Sequence, residues 1–214
     1  MTDMVKLAAP PELEMPIGEA MFTQRAIRRM KPDPIPDEHI ELILDAATKA
    51  PNGGNSQPVR FLVVKDAAKR AAFAELYHEA WWAKRRDREG WKTKEDIPPE
   101  EKSYLSAARL ADEFGIAPVV ILAFSQHASL GHSVYPAVQN LLLAARSLGI
   151  GSVLTLLHAD VMARVHDLFE IPPQMALHAC IPLGYPRGRF GPTSRLPTSQ
   201  STYLDRWGDP PPWK

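Results

Sequence analysis

Apolar residues recur along the chain in two rhythms, and their alternation predicts the elements. Residues 17–25 can form a short helix. Beyond the turn Pro32-Asp33-Pro34-Ile35-Pro36, Ile40, Ile43, Leu44 and Ala47 return at i, i+3, i+4 and i+7. That spacing predicts a helix over 37–50 with one buried face, Asp37 as its N-cap and Pro51 as its stop. Residues 59–64 are apolar on both faces except at Arg60, the pattern of a buried strand. Residues 67–88 read as a helix carrying Leu76, Tyr77, Ala80 and Trp81, with the run Lys84-Arg85-Arg86-Asp87-Arg88 as its solvated end. A polar, mobile loop over 89–100 and a second helix over 101–113 follow. Residues 117–124 form a second apolar strand. A long helix over 134–148 comes next, with Pro136 in its first turn and Gly149 just past its end. A third strand over 152–156, a helix over 160–169 and a fourth strand over 176–183 complete the series. Strands alternating with helices imply an α/β or α+β core in three layers. A proline-rich tail from residue 186 carries no strand or helix signal, so its tryptophans must pack on the body or on a partner.

Composition narrows the function classes. The 214 residues suit one domain, which we divide into an arm over 1–16, a body over 17–200 and a tail over 201–214. Lys+Arg and Asp+Glu are equal at 25 each, which argues against a nucleic-acid binder needing a basic excess. The longest apolar runs are about eight residues, too short to span a bilayer. The opening Met1-Thr2-Asp3-Met4-Val5-Lys6 lacks the blocks of a secretory signal, so a cytoplasmic protein is expected. One cysteine, Cys180, excludes an internal disulfide, and the seven histidines are scattered, so no metal site is expected.

Several catalytic signatures are missing. Gly131-His132-Ser133 begins a nucleophile elbow but lacks its closing glycine. Gly149-Ile150-Gly151-Ser152 resembles half of a dinucleotide fingerprint, yet it leads into a strand rather than following one. Four other features remain. Arg25 and Arg28, three apart, can bind a phosphate or the electron-rich edge of a ring, although such a pair can equally be a solvated face. The run Ala50-Pro51-Asn52-Gly53-Gly54-Asn55-Ser56-Gln57-Pro58 joins paired glycines, which allow close backbone approach, to side-chain amides that both donate and accept. The plain alternative there is a helix-to-strand turn. Gly149 to Leu157 is a glycine-rich strand entry holding Thr155 among leucines, and Thr193-Ser194-Arg195-Leu196-Pro197 fixes an arginine among prolines.

Together these segments resemble the nitroreductase family of FMN-dependent oxidoreductases. The resemblance rests on Arg25-Ala26-Ile27-Arg28, Ala50 to Phe61, Gly149 to Thr155 and Thr193 to Pro197, in order over about residues 18–200. It implies an α+β fold of three layers, α/β/α, around a mostly antiparallel sheet, in an intertwined homodimer with one FMN at each of two interface clefts. By position, Arg25, Ala26 and Arg28 would hold the phosphate and pyrimidine edge. Pro51, Asn52, Gly53, Asn55 and Gln57 would come from the partner subunit. Leu154, Thr155 and Leu156 would lie along the central ring, with Thr155 near N5, and Arg195 would complete the phosphate site. Gln24, Ala26 and Thr193 depart from the family pattern, and each removes a phosphate donor, which implies weaker FMN binding. Asn52 for serine and Val59 for tryptophan are milder departures.

The resemblance implies NADH or NADPH as donor and reduction of nitroaromatics, quinones or related electrophiles by a ping-pong mechanism. The cofactor carries the redox step, so no catalytic side chain is singled out. Arg28 would stabilise the negative charge that reduction leaves on the pyrimidine edge. Residues 77–115 would form a variable lid, in which Trp81, Trp82, Trp91 and Tyr104 either roof the flavin or simply pack between helices. The alternatives are a non-catalytic FMN store or sensor, and a same-fold enzyme of reductive dehalogenation, enone reduction or flavin fragmentation.

Overall fold

A computed structural model describes residues 10–213. The arm expected over 1–16 and the opening hexapeptide therefore lie largely outside the described residues. Six α-helices are described: α1 (Ile17–Thr23), α2 (Asp37–Thr48), α3 (Ala67–Glu89), α4 (Lys102–Glu113), α5 (Gly131–Ser147) and α6 (Met162–Phe169). The strands β1 (Arg60–Val64), β2 (Val119–Ser125), β3 (Gly151–Ser152) and β4 (Ala176–Gly184) form one sheet in the order β1-β2-β4-β3, every pairing antiparallel.

Strand alternation divides the core into two. Val119, Ile121 and Ala123 of β2, with Ala179, Ile181 and Leu183 of β4, face α2 and α5. Val120, Leu122 and Phe124 of β2, with Cys180 of β4, face α3, α4 and α6. Because both sheet faces are covered, β2 is buried along its whole length and reads as a continuous apolar run. This is the expected α/β/α sandwich. Among the described residues, no helix is long and apolar enough to cross a membrane.

Most boundaries fall within a few residues of those predicted, and the differences have physical causes. The third strand shrinks to Gly151–Ser152, with a separate bridge from Thr155 to Cys180. Continuing the β3–β4 register puts Pro182 opposite Val153, and a proline has no N–H to donate. Helix α5 begins at Gly131, so Pro136 stands beyond its first turn. Pro36 occupies the N-cap of α2, and Asp37 is the first helical residue, ion-paired with Lys65. Helix α1 stops at Thr23, leaving Arg25 and Arg28 on extended chain.

The 89–100 loop is also more ordered than expected. Thr93 and Asp96 close a capping box, the Lys94 ammonium pairs with Asp112, and Ile97 is buried. The supposed lid is a packed helical hairpin. Trp91 meets Tyr104 edge-on at 5.2 Å, Trp82 donates to His78 at 3.2 Å, and Trp81 is buried.

Candidate functional site

Two glycines facing each other across β3 and β4 determine where the early arginines go. Gly151 pairs with Gly184. A β-carbon on Gly151 would stand 2.6 Å from Ile27 Cγ2, and one on Gly184 would stand 2.9 Å from Met30 Cβ. The bare backbone therefore lets residues 26–30 cross the sheet edge in close contact. Ile27 N–H donates to the Ser152 carbonyl at 2.9 Å, and Lys31 N–H to Tyr185 at 2.8 Å. Ile27 and Met30 are buried by this crossing, which leaves Arg25 exposed and Arg28 half-buried between the two anchors.

Arg28 reaches a cavity of about 170 Å³, whose wall includes Tyr77, Trp81, Lys84, Tyr104 and Thr155. Lys84, Arg85 and residues 154–156 continue into a neighbouring space of about 500 Å³, bounded also by Asp87, Arg88 and His158. Backbone bonds in both directions between Thr155 and Cys180, at 2.9 and 2.8 Å, fix Thr155 in place. Its hydroxyl oxygen is buried, with the Tyr77 phenol as the one group beside it and no hydrogen bond of good geometry closed. A buried hydroxyl with unfilled bonding capacity costs stability, and such groups mark places where a ligand can complete the bonding.

Helix α3 supplies the opposite wall. Tyr77, Trp81, Lys84 and Arg88 recur at i, i+4, i+7 and i+11, so one face of the helix turns towards the cavity. Lys84 donates to the Leu156 carbonyl. Arg85 is buried between the rings of Trp81 and Tyr104, 5.5 and 5.0 Å from their centroids, and pairs with Glu89 at 3.1 Å.

Burial dominates the electrostatics here. It pushes the Tyr77 phenol up to about 12, an effect the neighbouring Thr155 hydroxyl partly offsets. It pushes the Lys84 ammonium down to about 8. It also lowers Arg28, with nearby Arg25 acting in the same direction, and raises the Cys180 thiol to about 12. Neither Arg28 nor Lys84 has a carboxylate partner among the described residues.

The amide-rich loop lies elsewhere on the chain. Gly53 N–H donates to Ser133 Oγ at the start of α5, at 3.3 Å, and Gln57 N–H to Asn52 Oδ1 at 2.8 Å. Asn52 and Gln57 line a separate cavity of about 210 Å³ with Ala50 and Ser133. Gly54, Asn55 and Gln57 all have positive φ, at 59°, 52° and 49°. Two non-glycine residues in that region store strain, and strained loops concentrate at functional sites.

The structure thus brings Arg28, Leu154, Thr155 and Leu156 together, with Ala26 bridged to Ser152 beside them. Asn52 and Gln57 gather in the second cavity, while Pro51, Gly53 and Asn55 are exposed on its loop. Arg195 is exposed in the tail and, among the described residues, bonds only to the carbonyl of Ser194, at 2.8 Å. Of the four expected lid aromatics, Trp81 and Tyr104 line the cavity, and Trp82 and Trp91 pack behind them. Lys84 and Arg85 were missed as site residues because they sit in a charge run. The helical spacing from Tyr77 to Lys84 was the signal that could have found them.

Comparison with known proteins gives a consistent assignment. The profile of the Nitroreductase family matches residues 22–185. The chain is 32% identical to an NADH dehydrogenase of Thermus thermophilus, over 83% of this chain and 90% of that one. It is 30% identical to a 5,6-dimethylbenzimidazole synthase of Rhodospirillum rubrum, over 79% and 82%. Among solved structures, an iodotyrosine deiodinase bound to FMN and 3-iodo-L-tyrosine superposes with a TM-score of 0.67, at 26% identity over 89% of this chain and 98% of that one.

Proposed function

The chain belongs to the nitroreductase family, and from that premise we propose that it is an FMN-dependent oxidoreductase taking electrons from NADH or NADPH. The observation that carries this reading is the unpaired Arg28 lining one cavity with the buried Thr155 hydroxyl and the rings of Tyr77, Trp81 and Tyr104. A guanidinium, a hydroxyl and aromatic walls suit a ligand with an anionic group, a carbonyl-bearing edge and a flat ring. The residues present fit FMN.

Arg25 and Arg28 would bind the anionic and electron-rich parts of the cofactor, and Arg195 would join them from the tail. Leu154, Thr155 and Leu156 would support the ring plane, and Arg28 would favour the reduced state by offsetting its negative charge. When bound, FMN supplies two-electron transfer between nicotinamide and acceptor. For a nitro acceptor the sum is one nitro group, one NAD(P)H and one proton giving nitroso, NAD(P)+ and water. A cleft that donor and acceptor occupy in turn gives ping-pong kinetics, and converging initial-rate lines would count against that order. Nitro or quinone reduction is the leading choice, and because the relatives' names span different reactions, reductive dehalogenation, enone reduction and flavin fragmentation are the alternatives within the fold.

Because the amide loop and Arg28 line different cavities of one chain, the complete site is proposed to form between two chains. The loop's Pro51, Asn52, Gly53, Asn55 and Gln57 would then face the partner's Arg28. Mixing tests this. An Arg28→Ala chain and an Asn55→Ala chain, each poor in FMN, should recover about a quarter of the wild-type FMN when refolded together in equal amounts, since half of the dimers are then mixed. Such a pair has one intact and one doubly damaged site. No recovery in a mixture shown to contain the mixed dimer would sink the shared site.

A further inference from the structure

Helix α3 adds cations that the proposed cofactor set does not use. Lys84 has its ammonium at the cavity wall beside Thr155, held by the Leu156 carbonyl alone. Arg88, one turn further along, makes no ion pair among the described residues. The one carboxylate lining this space, Asp87, is already engaged by Arg86 at 2.8 Å and His158 at 3.1 Å. Lys84 thus stands where two adjoining spaces meet: the smaller is flat-sided, through Trp81 and Tyr104, and the larger, reached by Arg88, carries a surplus of positive charge. We propose that this wall selects the acceptor, favouring planar aromatic compounds that bear a carboxylate or phenolate, with Lys84 and Arg88 as the anion contacts. This rests on the reading of the site as a flavin reductase.

A charge-assisted contact in a partly dry cleft contributes enough to set specificity, about tenfold or more in affinity. The preference also has a pH signature, because Lys84 is held near 8 by burial. Facing it are Arg28 across the cavity, Tyr104 from α4, Cys180 of β4 and His158 of the following segment. On its own helix stand Tyr77, Arg85, Arg88 and Asp87. The ammonium loses its charge as pH rises through about 8, so the anion preference should fall there.

The test uses the holoprotein, with calorimetric binding of benzoate and benzamide, and kcat/KM for para-nitrobenzoate and para-nitrobenzamide. In wild type at pH 7, both ratios should favour the anion by about tenfold. In Lys84→Met both should collapse towards unity, and Lys84→Arg should restore them and remove their decline above pH 8. A yellow wild-type protein without preference would overturn the proposal and leave the reductase reading intact. Loss of FMN from Lys84→Met, in place of a changed ratio, would assign the lysine to the cofactor and also overturn it. A colourless protein that still prefers benzoate would overturn the assignment as an acceptor site along with the reductase reading.

Discussion

The two faces of the sheet are built from the same strands but do different work. Towards α2 and α5 the filling is aliphatic, with Ile43, Val134, Leu141, Ile181 and Leu183 fully buried. The one shifted titrating group on that side is His178, set at the rim where a bulge in β4 breaks its register with β2. Desolvation lowers it, and Ser125 Oγ contacts it at 2.6 Å. Towards α3, the same strands meet Phe73, Tyr77, Trp81 and Phe114, with Lys84, Arg28 and Cys180 among them. Burial shifts Tyr77, Lys84, Arg28 and Cys180 together on that face. Shifted titrating groups gathered in this way single out that face as the candidate site, at a cost in stability. One face is aliphatic filling, and the other carries cations without carboxylate partners.

Truncation on the quiet face should have the largest effect. Leu141→Ala leaves a cavity in a fully buried position, with an expected loss of about 2–5 kcal/mol in chemical denaturation. Flavin content at low temperature should be kept. Loss of flavin from a still-folded variant would break the division between the faces.

Gly151→Val attacks the crossing between them. Its side chain would collide with Ile27, so a loss of about 1–3 kcal/mol is expected. FMN binding should weaken at the same time, because Arg28 moves with Ile27. Destabilisation with FMN affinity unchanged would show that the glycine pair does not position the arginine.

The smallest effect concerns charge. The Lys84 pKa is lower in the folded protein than its ordinary 10.5, so the unfolded chain binds more protons between about 8 and 10.5. Stability therefore gains a rising contribution with pH across that window. Tyr77 and Cys180, both raised, act in the opposite direction at high pH. Subtracting the denaturation profile of Lys84→Met isolates the lysine, and a flat difference between pH 8 and 10 would remove the buried ammonium from the account.

The layered fold was legible because each helix has its own apolar period and β2 is continuous. The order of four motifs also singled out the arginines and the Thr155 segment as candidates, and Arg28 and Thr155 do line one cavity. Three things were hidden, each for a tertiary reason. Pro182 cuts the third strand from the opposite side of a pairing that sequence does not reveal. Arg85 belongs to a charge run, yet two aromatic rings and Glu89 enclose it. The amide loop was expected at the site, but it lines a different cavity from Arg28 because it packs on α5.

An anaerobic visible spectrum of the purified protein, before and after adding NADH or NADPH, tests the central claim most directly. The account predicts a flavin band that bleaches with at least one of the two donors. A colourless protein that takes up no added FMN would contradict it, since the unpaired arginine and the Thr155 hydroxyl would then have no flavin to serve.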